Sequence, residues 1–387
     1  MSPSRFIARK LRFQGNIAAV SIAVSFLVII LAVSISSGFR SEIRKGIAAM
    51  TGDIRISSAG ASLNSEEDPV PAVLPSEAAI RALPGVKDIA PAIYRAGIVR
   101  SGDAIHGVLL KGIPSLADSA LCVSVPRRLS TLLSLQEGDE LTTYFVGEKV
   151  RVRKFRVAHI HDDILEMDDN LVVYARIEDL RRLNGWQEDE ASAVEVSLDP
   201  RLYAAGLVQE YAFRIGEMLY QSEDPDESSL VALSSVNRYP QLFDWLDLLD
   251  FNVLVLLILM VVVAGFNMIS GLLIMLLRHI STIGVLKTMG MSDAAIGKVF
   301  LRVAAGVVFR GMLAGNALGL LFCVVQDRTH LLPLDPVNYF VSFVPVHIDW
   351  GWILAADAVA FAAIMLLVMI PTLLIARVDP AETVKAQ

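Results

Sequence analysis

Two cysteines among 387 residues leave no disulfide framework to read. Cys122 falls in a polar stretch and Cys323 in an apolar one, so the two lie in different solvents and are not expected to meet. Charge is scarce as well: 19% of the residues are Asp, Glu, Lys or Arg, against 54% hydrophobic, with a mean hydropathy of +0.54. That balance excludes an ordinary soluble enzyme and points to the membrane class. Motifs are missing too. No G-x-x-x-x-G-K-[ST] loop is present to cradle phosphates, and no H-E-x-x-H, paired C-x-x-C or G-x-S-x-G occurs. The chain is therefore read as a non-enzyme that binds neither ATP nor a metal.

The apolar residues that are present sit in blocks. Four runs, near 16–38, 251–277, 299–325 and 351–376, are each long enough at about 1.5 Å per residue to cross a hydrocarbon core of about 30 Å. The first run exceeds the length of a signal-peptide core and reads as an uncleaved anchor. The fold class expected is an α-helical membrane protein, with four transmembrane helices and a large mixed α/β domain inserted between spans one and two. Residues 1–15, with Arg5, Arg9 and Arg12 on one helical face, read as an amphipathic helix on the inner leaflet.

Charge follows the same division. Residues 39–250 hold 22 Lys/Arg and 34 Asp/Glu, and the remainder holds 12 and 7. A net of −12 on the domain excludes nucleic acid as a partner, because phosphates require a basic face. Short basic flanks set the orientation. Arg5, Arg9, Lys10 and Arg12 precede the first run, Arg278, Lys287 and Lys298 follow the second, and Arg377 and Lys385 follow the fourth. Both termini and the segment 278–298 are thus expected in the cytoplasm, and the domain (39–247) and the loop 326–350 outside it.

Within the domain, 150–159, 171–174 and 193–198 read as strands, 75–83 and 176–183 as short helices, and 64–71 and 223–229 as surface loops. The stretch 236–250, with Tyr239, Phe243 and Trp245, reads as the stalk that meets the membrane. His159, His161 and Asp163, followed by Glu166, Asp168 and Asp169, form the one cluster with a metal-like pattern. It reads as a solvated acidic turn. Arg302 and Arg310 fall in or near the third run. Arg310 at membrane depth needs a partner, for which Asp357 is the candidate; if the span instead begins near Val307, both arginines stay near the interface.

The most distinctive segment is Arg278-His-Ile-Ser-Thr-Ile-Gly-Val-Leu-Lys-Thr-Met-Gly-Met291 between runs two and three. It resembles the coupling helix of LolC/LolE-type permeases, which are lipoprotein-releasing, MacB/FtsX-like members of the type VII ABC transporter superfamily. The family pattern I-G-x-L-K-x-x-G is matched by Ile283, Gly284, Leu286, Lys287 and Gly290. The stalk 238–252, the outer loop 334–345, the tail 377–382 and, less strictly, 37–40 and 155–198 fit the same family. Arg278 and His279 depart from it, standing where relatives commonly carry an acidic residue.

The resemblance implies a permease subunit driven by a separate ABC ATPase, with ATP and Mg held on that partner and no cofactor on this chain. It implies a second permease copy or homologue, a lipoprotein cargo extracted from the outer leaflet of the inner membrane, a periplasmic lipoprotein carrier, and a MacB-like domain at 39–247. Ile283 and Leu286 would anchor in the ATPase, and Lys287 would pair with an acidic groove there. Span two offers a candidate acyl-chain lining in Phe251, Leu256, Met260, Phe266 and Met268, beside the small or polar Gly265, Asn267, Ser270 and Gly271. Export of a peptide or drug through an adaptor, and ATP-driven activation of a periplasmic cell-wall hydrolase, are the competing readings.

Overall fold

A computed structural model of the chain describes residues 16–60, 69–101, 104–114, 119–146, 150–162, 171–204 and 206–373. The expected amphipathic helix at 1–15, the acidic residues Asp163 to Asp169 and the tail 377–387 lie outside the described residues.

Helix α1 (Asn16–Thr51) is followed by β1 (Ile54–Ser58), β2 (Val70–Pro71), α2 (Glu77–Arg81), β3 (Val86–Ser101), β4 (Ala104–Ile113), β5 (Cys122–Pro126) and α3 (Arg127–Leu133). Then come β6 (Glu140–Phe145), β7 (Arg151–His161), β8 (Val172–Arg176), α4 (Ile177–Asn184), β9 (Glu190–Ala191), β10 (Ala193–Leu198), α5 (Val208–Tyr220) and β11 (Leu230–Ser234). The last part is helical: α6 (Pro240–Arg278), α7 (Ile280–Thr288), α8 (Asp293–Thr329) and α9 (Trp350–Leu373). Two compact units result, one of residues 1–40, 246–333 and 343–387, the other of residues 41–245 and 334–342.

The domain unit is built on one long strand. Strand β3 has 16 residues, and its first half pairs with β10 while its second half pairs with β4 and β6. The second half closes a barrel of order β3-β4-β8-β5-β7-β6, completed by the β3–β6 pairs Ile98↔Tyr144 to Arg100↔Thr142. Alternation along each strand sends Leu141 and Phe145 of β6, Phe155 and Val157 of β7, and Val108 and Leu110 of β4 into its core. Phe145 and Phe155 meet edge to face at 6.4 Å.

The first half of β3 belongs to an open antiparallel sheet, β11-β1-β10-β3. Ile54, Ile56, Val194 and Val196 on one face of this sheet are covered by Ile80 of α2 and Val208, Ile215 and Leu219 of α5. The opposite face is polar. Lys111, Glu195, Tyr94 and Arg55 meet there beside the end of α1: Lys111 Nζ donates to Glu195 Oε2 at 2.8 Å and to the Ala49 carbonyl at 2.8 Å. The Tyr174 hydroxyl donates to the same carbonyl, so a cation and a hydroxyl satisfy the electronegative end of α1. Burial pushes the Lys111 ammonium down to about 7 and holds the Glu195 carboxyl well above the usual carboxylate range.

The sequence reading places 223–229 in a surface loop. The structure differs: Pro225–Ser228 is a helical turn capped by Asp224, and Glu227 is buried, accepting bonds from the Ser76 N–H at 3.0 Å and from the Ser76 and Ser222 hydroxyls. Three donors compensate its lost hydration, which the acidic, serine-rich composition conceals.

Among the described residues four helices are long and apolar enough to cross a membrane: α1, α6, α8 and α9. They outrun the apolar blocks. Helix α1 continues to Thr51 and α6 begins at Pro240, so the stalk is the first part of α6, with Pro240 at a position where its missing N–H is harmless. The segment 278–298 is not one helix. It divides into the short α7, a turn, and the opening of α8.

Helices α1 and α8 approach closely along Gly311, Gly315 and Gly319, one residue per turn. A Cβ on Gly311 would lie 2.6 Å from Ile22 Cγ2, one on Gly315 would strike the Ala23 carbonyl oxygen, and one on Gly319 would lie 3.1 Å from Ile30 Cγ2. At the other end of α1, Arg40 bonds Asp247 at 3.1 Å and also Asp250, which further accepts from Ser36.

Candidate functional site

Helix α7 lies between the ends of α6 and α8, and its two faces have different environments. Ile283 is 1% exposed and belongs to the apolar core with Met275, Leu276, Ile296 and Phe300. Gly284 is buried and Leu286 packs partly against the same core. Lys287, with little of its side chain exposed, pairs with Asp293 Oδ1 at 2.9 Å, and Asp293 in turn sits in the first turn of α8, where a carboxylate complements the helix dipole.

Gly290 shapes the exit. The Met291 N–H donates to the Leu286 carbonyl at 3.0 Å and the Gly290 N–H to the Lys287 carbonyl at 2.9 Å, a Schellman arrangement that needs the φ of +85° at Gly290. A residue with a side chain would be strained there.

Each of the five expected coupling residues has a place within the chain. Ile283 and Leu286 anchor α7 in the chain's own core, Gly284 is buried, Lys287 pairs within the chain, and Gly290 forms the turn. Thr282, Val285 and Met289, at i, i+3 and i+7, face outward together with Thr288, with Val285 51% and Met289 78% exposed. The sequence signal for them is apolar residues on both sides of a nine-residue helix, more than one core contact requires.

The candidate acyl-chain lining does not form one face. Phe251 and Phe266 are exposed, Leu256 and Met260 are half-buried, and Met268 is buried in the helical core. Gly265 lets α9 approach, because a Cβ there would strike Leu367. Asn267 donates from Nδ2 to Ser21 Oγ at 2.5 Å. Residue type alone groups these five, whereas at about 100° per residue their positions spread around the helix. The exposed face of α6 instead runs through Phe251, Leu254, Ile258, Leu259, Val262 and Phe266.

Of the two readings of Arg310, the pairing with Asp357 does not form. Asp357 is bonded by Asn316 Nδ2 at 2.5 Å, and Arg310 is exposed, with its guanidinium directed back along α8 toward Gly306. This snorkelling removes the need for an intramembrane carboxylate. Among the described residues no group of three or more His, Cys, Asp or Glu side chains could hold a metal. His161 Nδ1 lies 2.8 Å from Ser124 Oγ and its ring contacts Tyr174 at 5.0 Å, with burial lowering its pKa.

Residues 254–380 match the FtsX-like permease C-terminal family, which spans α6 to α9. The chain carries an FtsX-like permease domain. Relatives of this permease align along nearly its whole length. The lipoprotein-releasing system transmembrane protein LolE of Haemophilus influenzae is 21% identical over 414 residues, covering 96% of this chain and 94% of that protein. LolC of Neisseria meningitidis serogroup B is 22% identical over 406 residues, covering 96% and 93%. LolC of Xylella fastidiosa is 21% identical over 402 residues. Among solved structures, the periplasmic region of MacB from Actinobacillus actinomycetemcomitans is similar to 51% of this permease and 94% of its own length, at 11% identity and a TM-score of 0.32.

Proposed function

We propose that this permease is the inner-membrane subunit of an ABC-type machine that releases lipoproteins toward a soluble carrier. The observation that carries the reading is the two-sided packing of α7. One side is fixed to the span core through Ile283 and Leu286, and the other presents Thr282, Val285 and Met289. A helix held in that way transmits a push: a partner ATPase that closes on Val285 and Met289 displaces the ends of α6 and α8 as rigid bodies. In this reading α7 and both chain termini are cytoplasmic, and ATP and Mg stay on the ATPase. The full-length likeness to LolE and LolC supports lipoprotein as the cargo, and no covalent step on this chain is required.

Two permease copies would each offer the open face of α6, from Phe251 to Phe266, to the acyl chains. Long apolar side chains on an exposed span suit that occupant, since they exchange lipid tails for lipid tails at little cost. The outer ends of spans one and two, held by Arg40 with Asp247 and Asp250, form the gate in this reading.

The test is ATP-dependent release of a triacylated lipoprotein from nanodiscs that hold the permease and its ATPase, with a soluble carrier as acceptor. Val285→Asp with Met289→Asp is expected to abolish release and ATPase association while the permease still folds. Normal release by that variant would remove α7 from the coupling path. A complex that hydrolyses ATP yet releases no lipoprotein to any carrier would shift the cargo to a peptide or drug, or the output to hydrolase activation.

A further inference from the structure

Within the spans, a buried carboxyl has no role in the coupling scheme. Asp357 of α9 is 6% exposed and lies one turn from the buried Ile353 and Ala360. Its Oδ2 accepts from Asn316 Nδ2 at 2.5 Å, across the α8–α9 contact. Two further oxygens of the same pair, Asp357 Oδ1 and Asn316 Oδ1, are buried and have no partner among the described residues. Among those residues no cation reaches the carboxyl from any helix packed against α9, and Asn316 is the only polar side chain on it.

An ionised carboxylate in that position leaves two buried acceptors without a protein hydrogen, and a full charge with no cation beside it among the described residues, each a substantial penalty in an apolar span. One proton removes both. A carboxylic acid and a primary amide are complementary, because the amide N–H donates to one acid oxygen while the acid O–H donates to the amide oxygen.

We infer that Asp357 is a proton-binding site: a neutral acid whose Oδ1–H donates to Asn316 Oδ1, closing a ring of two hydrogen bonds between α8 and α9. The proton comes from water, and no bond other than O–H forms or breaks. The ring fixes the register of the two helices at a level where no other side-chain hydrogen bond joins them among the described residues. It does not depend on the transport reading.

Infrared difference spectroscopy of the full chain in lipid nanodiscs at neutral pH, wild type minus Asp357→Asn, tests it. The expected result is the carbonyl band of a protonated carboxylic acid, shifted by deuterium exchange and unchanged by sodium. An ionised-carboxylate band in its place, or a band whose state follows sodium at fixed pH, would overturn the assignment, the latter in favour of a metal cation.

Stability provides a second readout. Asp357→Asn preserves a two-bond ring between amides and is expected to leave the unfolding midpoint where it is, whereas Asp357→Leu and Asn316→Leu lower it. The cycle of the two leucine variants is expected to show coupling of about three- to twentyfold, the span found for hydrogen bonds between membrane helices. Asp357→Asn as damaging as Asp357→Leu would sink the idea.

Discussion

Lys111 and Glu195 show at the residue scale what burial does to an ion pair. Removing one partner leaves the other buried without its hydrogen bond, a loss of about 1–3 kcal/mol, whereas replacing both with apolar residues of similar size is far milder. Lys111→Met is therefore expected to destabilise the domain more than Lys111→Met with Glu195→Met, as measured by urea unfolding. The pH dependence has a definite sign. Lys111 titrates at about 7 when folded against an ordinary 10.5, so its contribution is present above the ordinary value and is lost as pH falls through 7. In a Glu195→Gln background, where the carboxyl no longer titrates, the domain with Lys111 should gain stability relative to Lys111→Met between pH 7 and 10.5. A flat difference across that window would show that Lys111 is not desolvated. None of this was legible in the sequence. Lys111 and Glu195 are 84 positions apart, on strands whose pairing only the fold supplies.

At the scale of elements, the glycine stripe of α8 and the turn after α7 make separate predictions. Gly315→Leu drives a side chain into the backbone of α1 at Ala23. It is expected to cost about 1–3 kcal/mol or to part the helices, read as a lower midpoint of thermal unfolding in detergent. Gly306→Leu on the same helix, where a Cβ meets no atom nearer than Arg310 Nη2 at 4.0 Å, is expected to be tolerated. Equal damage from both would mean that the close α1–α8 approach is not what Gly315 serves. Gly290→Ala, at a φ of +85°, is expected to cost about 1 kcal/mol through the turn and to weaken coupling without removing the exposed Val285–Met289 face. The stripe could have been read from the sequence, since Gly311, Gly315 and Gly319 recur every four residues in an apolar run. Strands at 151–161, 172–176 and 193–198 and the helix at 177–184 were legible by alternation and by 3.6-residue spacing. Which face of α7 looks outward was not, because both faces carry apolar residues.

At the scale of the whole molecule, the shared strand β3 joins barrel and open sheet through an unbroken backbone. Residues 41–245, prepared without the spans, are expected to fold as a soluble domain and to unfold in one calorimetric transition, because losing β3 from either lobe removes a wall of the other. Two separated transitions would show that the lobes are independent.

The sequence by itself determined that the chain crosses a membrane, where its four apolar runs lie, and that an acidic domain stands between the first two. Those properties are carried by local composition and by the length a span needs. Only the tertiary structure decided that Ile283 packs in the chain's own core and Lys287 pairs with Asp293, that Val285 and Met289 are exposed, and that Asn316 rather than Arg310 meets Asp357. Each of those outcomes depends on which surfaces the helices bury against one another, and a residue's type does not say which side of its helix will find a neighbour.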